Sequence, residues 1–392
     1  MIFKRVIKSN EEQAIASWTN YINQVRLDNL LKNLQNQNQN FKDAINTLDS
    51  TMHQINKSII EQNRGGTKGM HGFIAEVAEC GIGNAREQIL GKAPKYIWIN
   101  DNGPFDFVRD GIEIQQKFVN SGNHLSLFAI KQHYEKYPWF LDGGRKYQIP
   151  ADHYEKIKML LSISENQANQ MGTKTGEFSL KQWKEVNQFF ATGNIKLSDI
   201  EPSKVSYKEV QRNQINTTIY NEKGNIKDID TNIRRDIYNK SKPTFKQGAY
   251  ISAIAASLEG GTAFITGIIK KKRLGKTISE FTKDDWLEIS RDSGIGAIKG
   301  GTRGITIYAL TNYTATPAAV ASSLCTASFG IAEEAYKFRK KLITKEEFLL
   351  NSQILCVDVS VSALSSILGH AVIPIPILGA VIGNTIGTFL YE

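Results

Sequence analysis

The segment Phe105-Asp106-Phe107-Val108-Arg109-Asp110-Gly111-Ile112-Glu113-Ile114-Gln115-Gln116-Lys117-Phe118 constrains the fold of this chain more than any other. Asp110-Gly111 is a two-residue turn of the kind that accepts positive φ at both centres, and apolar residues flank it on both sides. The pattern predicts a β-hairpin with strands at 105–109 and 112–118. Side chains alternate along a strand, so Glu113, Gln115 and Lys117 share one face, while Ile112, Ile114 and Phe118 point to a core. Asp106 stands between two phenylalanines. An acid on one strand, with acid, amide and amine in line on the next, suits a divalent cation held beside a phosphodiester. It also suits a solvated edge strand, and the pattern alone leaves both open.

Asp106 followed by Gln115-Gln116-Lys117 resembles the D…(D/E/Q)xK signature of the PD-(D/E)XK nuclease superfamily, in its QxK form. The resemblance covers residues 65–162 and implies a restriction-endonuclease-like α/β core. It implies a preceding helix that often carries a further acid, and the run from Lys68 through Glu76 to Glu79 reads as such a helix start. It implies a following helix and strand, here His124–Tyr137 and Lys146–Ile149, with Pro150 opening a helix over Ala151–Leu161. The chain departs from the pattern at Phe105, where a second proline-like residue is usual, and at Gln115, where an acid is usual. Whether Glu113 supplies the missing acid stays open.

On that resemblance the site residues are Asp106, Glu113, Gln115, Lys117 and Glu76. Mg²⁺ (or Mn²⁺) would be held by hard oxygen ligands, with Asp106 and an acid from Glu113 or Glu76 as carboxylates and the Gln115 amide as a neutral ligand. Lys117 would stand beside the attacking water or the scissile phosphate. The implied activity is metal-dependent cleavage of DNA, with defence against invading DNA as a role. A degenerate fold that binds nucleic acid without cutting is the competing reading.

The charge balance agrees with a polyanionic partner without choosing one. The 392 residues carry 48 Lys and Arg against 39 Asp and Glu, a net charge of +9, which favours nucleic acid or acidic lipid. Three cysteines, Cys80, Cys325 and Cys356, form no CxxC pair. Structural zinc and a disulfide framework are therefore not expected. The N-terminal residues lack the long apolar run and cleavage site of a secretory signal, so a cytoplasmic location is expected, with the inner face of the cell membrane as an extension of it. No Walker loop and no nucleophile elbow occur, which argues against an NTPase and a serine or cysteine hydrolase.

The length allows two or three domains, and the expected fold class is multidomain α+β. Residues 1–64 are polar and helix-like. A regular seam, Leu27, Leu31, Leu34, Asn38, Phe41, Ile45, Leu48, Met52, Ile55 and Ile59, alternates spacings of four and three. That is a heptad a/d pattern with Asn38 as a polar a position. It predicts a homo-oligomeric coiled coil through 27–59, or packing within the chain against 18–25. Residues 163–246 read as a helical connector.

From 247 to 392 the composition shifts to Gly, Ala, Ser, Thr and Ile, which predicts a helical domain built on a weak repeat. Ala253–Leu258 matches Ala319–Leu324, and Thr282–Leu287 matches Thr344–Leu349. Basic runs at Lys270–Arg273 and Arg339–Lys341 fall between the matched segments. Two glycine ladders, Gly296/Gly300/Gly304 and Gly379/Gly383/Gly387, predict close helix packing, either in a soluble bundle or in a membrane. Pro374 and Pro376 cut the apolar run 359–391 into halves shorter than the roughly 20 residues of a single span. A regulatory or membrane-associating role for 248–392 follows. The alternative for the whole chain is a membrane-inserting effector whose α/β domain senses nucleic acid without cutting.

Overall fold

The computed structural model describes residues 2–120, 124–170, 180–314, 316 and 318–353. The protein is mostly helical, with one small mixed sheet, and is a multidomain α+β chain. It folds as two units. One comprises Lys32–Asn239, and the other Met1–Leu31 with Lys240–Glu392.

The sheet unit starts within α1 (Ile2–Ile55), which a short π-helical turn, Asn56–Ile60, and a glycine-marked bend join to α2 (Gly66–Ile89). Gly65 takes φ 77° at the N-cap of α2, a conformation that favours glycine. Three strands follow as an antiparallel meander: β1 (Tyr96–Trp98), β2 (Phe107–Arg109) and β3 (Ile112–Gln116). The β2–β3 turn has Asp110 at φ 53° and Gly111 at φ 84°, as the Asp-Gly pair predicts. Then come α3 (Leu127–Lys136), β4 (Lys146–Ile149), α4 (Ala151–Ser162), α5 (Glu165–Gln170), α6 (Leu180–Ala191), β5 (Ile200–Pro202) and α7 (Ile215–Lys240). Strands β4 and β5 extend the sheet in parallel, in the order β1-β2-β3-β4-β5.

Residues 163–246 are therefore more than a connector. Ile200 is buried in the core beside Tyr147 and Ile149. Val205, Val210, Ile215, Ile219 and Ile226 join the core that α1 and α2 share. The expected boundary at 162 fails because the sheet needs β5 to cover the outer edge of β4.

The heptad seam is used within the chain over its second half. Leu48, Ile55 and Ile59 are fully buried against α2 and α7, with Phe41, Ile45 and Met52 packed beside them. Leu27, Leu31 and Asn38 are exposed. A coiled coil with a second chain over all of 27–59 would need surface that Leu48–Ile59 already gives to this core. The hairpin against 18–25 does not form either, because α1 is continuous through both segments.

The helical unit is built from the first part of α1, α8 (Phe245–Arg273), α9 (Lys283–Tyr313) and α10 (Ala318–Arg339). A capping box opens α8 at Thr244 with Gln247, and another opens α9 at Thr282 with Asp285. The ladder Gly296/Gly300/Gly304 faces α8. A Cβ on Gly296 would lie 2.8 Å from the Glu259 carbonyl oxygen, and one on Gly304 would lie 2.9 Å from that of Ile251. Only glycine lets the two backbones approach so closely. Arg303, 2% exposed, is neutralised by Glu12 at 3.1 Å and Glu259 at 2.5 Å. Ile15, Ile251, Ile307, Tyr308 and Cys325 form the core around it. The second ladder, Gly379/Gly383/Gly387, and the run 359–391 lie outside the described residues.

Candidate functional site

A cleft of about 690 Å³ opens in the sheet unit between the N-terminal turns of α2, the loop before β2, the end of β3 and α3. Its wall includes Glu76, Asp106, Gln115 and Lys117, together with Lys68, His71, Asp101, His133, Lys136 and Tyr207. Four of the five residues expected at the site thus meet there. Local structure explains why. Asp106 immediately precedes β2, its backbone N–H bonded to the Ile114 carbonyl, so it stands across from Gln115. Lys117 immediately follows β3, held by its backbone N–H to the Gln148 carbonyl at 2.8 Å. Glu76 reaches over from α2, and the Trp98 indole N–H fixes it at 3.1 Å. One turn and two turns earlier on the same helix face are Gly72 and Gly69, where an added Cβ would meet nothing within 4 Å. The cleft stays open on that side.

Glu113 does not join them. Its carboxylate pairs with Arg145, and it is not among the residues lining the cleft. It shares a strand face with Gln115 but sits two residues nearer the turn, roughly 7 Å along the strand. Glu76 on α2 brings a carboxylate to the cleft instead.

The electrostatics of the cleft are those of crowded, partly dried charge. Burial first, and then repulsion from Asp106, push the Glu76 carboxyl up to about 8, against weaker opposition from the Trp98 hydrogen bond, Arg64 and Lys117. Burial likewise raises Asp106 to about 6, although Lys117 and the Gln116 N–H favour its anion. Lys117 is lowered by burial, with Asp106 and Glu76 opposing. His133 falls to about 4, through burial and then the nearby Lys117, and stands neutral at pH 7. Two carboxyls and an ammonium thus perturb one another directly, the pattern of a functional cleft.

The hydrogen bonds show what the cleft could hold. The Asp106 carboxylate accepts from the Gln116 backbone N–H at 2.7 Å and from the Gln115 amide. The same Gln115 amide nitrogen donates to the Gln116 carbonyl at 3.3 Å. Two oxygen acceptors therefore converge on one donor, and Glu76 adds a third oxygen group nearby. Carboxylate, carbonyl and amide oxygens are the donor set of Mg²⁺, and the residues present fit that ion. Among the described residues, no group of three or more His, Cys, Asp or Glu side chains could hold a metal. Gln115 would join Asp106 and Glu76 by turning its amide, so that the oxygen replaces the nitrogen that faces Asp106.

The sequence reading missed the polar chain that holds this arrangement in place. Glu79, one turn after Glu76, is fully buried. It accepts from Ser203 Oγ at 2.6 Å, the Lys204 backbone N–H at 2.8 Å, Lys204 Nζ at 3.1 Å and the Gln148 amide at 3.2 Å. Gln148 in turn accepts from the Gln116 amide at 2.7 Å. Helix α2 is thereby tied to β3, β4 and the segment after β5. His71 was also missed. Its Nε2 donates to the Phe118 carbonyl at 2.7 Å, and its ring lies edge-on to Tyr207. The helical spacing of Lys68, Gly72 and Glu76 could have placed the first of these on the cleft side.

Comparison with protein-family models, curated proteins and solved structures finds no match for this chain.

Proposed function

We propose that the protein is a metal-dependent nuclease that cleaves DNA phosphodiesters at this cleft. The single observation that carries the reading is the meeting of Glu76, Asp106, Gln115 and Lys117, drawn from a helix and two strands, in one partly buried cleft. The succession of α2, the three-stranded meander, α3 and β4 supports it, since the QxK resemblance implies that order of elements. Glu76, Asp106 and Gln115 would hold a Mg²⁺ ion, which supplies a Lewis acid and lowers the pKa of a bound water.

The remaining chemistry belongs to the chain. Lys117, drawn toward both carboxylates, offsets charge developing on the phosphoryl oxygens. The Gln116 N–H favours the Asp106 anion and orients it. Lys68 and Lys136 on the cleft wall would take flanking phosphates. Incubation of the purified chain with supercoiled plasmid and Mg²⁺ or Mn²⁺ tests this, with nicking abolished by a chelator as the expected result.

A membrane-associating role for the helical unit is a second reading. Its supporting observation is an 18-residue window of mean hydropathy 1.3, only 17% of it buried, within Ile215–Arg273, a span that takes in α7 and α8.

A further inference from the structure

The nuclease cleft leaves unused a feature that the helical unit builds twice. Helix α8 ends on Lys270-Lys271-Lys272-Arg273, and Leu274 and Gly275 (φ 89°) break it. Helix α10 ends on Arg339, and Lys340, Lys341 (φ 57°) and Leu342 follow. In both turns the chain reverses through a left-handed residue beside a leucine that faces water. Leu274 is 70% exposed and Leu342 is 69% exposed, and Ile278 beside the first is 50% exposed. In both turns a capping box then opens the next helix, at Thr282 with Asp285 and at Thr344 with Glu347.

The two turns lie toward the same end of the bundle. Helices α8 and α9 pack antiparallel through the glycine ladder. Along α9, Ile307 and Tyr308 share a core with Ala321 and Cys325, whereas Arg303, a turn earlier, lies over Phe329, a turn later. Helix α10 therefore runs back along α9 toward the end where α8 stops.

Some of the cations around the leucines are committed and others are not. Lys270 is paired with Glu288, Lys271 with Asp285 and Glu288, and Lys276 with Asp285. Among the described residues, Lys272, Arg273, Arg339, Lys340 and Lys341 have no acid at ion-pair distance. Exposed leucines set among free cations fit one kind of surface better than another. A nucleic acid would satisfy the cations and leave the leucines in water. A bilayer with anionic headgroups satisfies both, because the leucines reach the acyl boundary while the cations meet phosphate.

We propose that the turns at Leu274 and Leu342 form a docking surface for an anionic lipid bilayer. The proposal rests on the membrane-association reading of the helical unit and not on the nuclease cleft.

The test is co-sedimentation of the full chain with phosphatidylglycerol–phosphatidylcholine vesicles and with pure phosphatidylcholine vesicles. Binding to the anionic vesicles alone, weakened by salt, is the expected result. Leu274→Asp with Leu342→Asp should cut the partition coefficient by about tenfold or more. The melting temperature should hold, since both side chains lie in water. Leu274→Ser with Leu342→Ser is the milder pair should the first fail to fold, and it should weaken binding in the same direction. Lys272→Glu with Arg273→Glu should also weaken binding, and Asp106→Asn should leave it unchanged, whatever becomes of cleavage. Equal binding to both vesicle types would overturn the proposal. So would unchanged binding by the leucine pairs, or a duplex DNA that the turns bind in place of vesicles.

Discussion

The Gln115 side-chain amide donates to the Asp106 carboxylate across the β2–β3 hairpin, and the same nitrogen reaches the Gln116 carbonyl at 3.3 Å. This single donor keeps two oxygen acceptors together beside Glu76. Without a cation, burial first and then neighbouring negative charge favour the protonated carboxyls, and a pH dependence follows.

In the metal-free protein Asp106 titrates near 6 and Glu76 near 8, above their ordinary values of 3.8 and 4.5. The folded state then binds protons more tightly than the unfolded state. Their contribution to stability is fully present below about pH 4, falls as Asp106 ionises toward 6, and is lost as the pH passes 8. Thermal melts in chelator should show melting temperature decreasing across this window. Glu76→Gln should flatten the upper part of the slope, and Mg²⁺ should raise the melting temperature most at the alkaline end. A wild-type slope identical to that of Glu76→Gln would show that Glu76 is already ionised.

Buried Glu79 and half-buried Lys204 form the pair that ties α2 to the segment after β5. Glu79→Ala would leave the Ser203 hydroxyl and the Lys204 backbone N–H without their acceptor, while Lys204 Nζ keeps the Tyr96 hydroxyl, a loss of about 2–3 kcal/mol. Because Glu76 rides on the same helix, metal affinity should fall as well. Urea unfolding and calorimetric metal titration would measure the two. A change under about 1 kcal/mol, within the range of surface substitutions, would mean the network adds little.

The hairpin was legible because its cues are local: a two-residue turn, strict alternation, and an acid in an apolar pair. Strand β4 was legible too, bounded by Pro150. Strands β1 and β5 were not, since Tyr-Ile-Trp and Ile-Glu-Pro are three residues long and depend on the neighbours they pair with. The heptad seam was read correctly as apolar, but periodicity does not say whether the partner is another chain or α2 and α7. Of the first two acids on α2, only geometry separates Glu76, at the cleft, from Glu79, in the core. Glu113 was placed on the right face, yet its distance from the strand end and the pull of Arg145 took it out of the site.

The α8–α9 packing gives a stability contrast between glycines. Gly300 is buried against the α8 backbone at Ala255, whereas an added Cβ on Gly294 would meet nothing within 4 Å. Gly300→Ala should force the helices apart at about 1–3 kcal/mol. Gly294→Ala should stabilise by up to about 1 kcal/mol through the unfolded chain and helix propensity. Thermal melts of both would check it. Equal melting temperatures for the two variants would place the ladder away from α8.

The most direct measurement is plasmid cleavage by wild type, Asp106→Asn and Lys117→Ala, side by side in Mg²⁺ and in chelator. Asp106→Asn keeps the shape of the side chain and removes the charge a cation needs, while Lys117→Ala removes the ammonium that faces both carboxylates. The expected result is nicking by wild type in Mg²⁺ only, with both variants reduced by at least about a hundredfold, the scale of losing one preorganised charge-stabilising group, while their circular dichroism stays native. Wild-type rates in both variants, or nicking that persists in chelator, would contradict the assignment of this cleft.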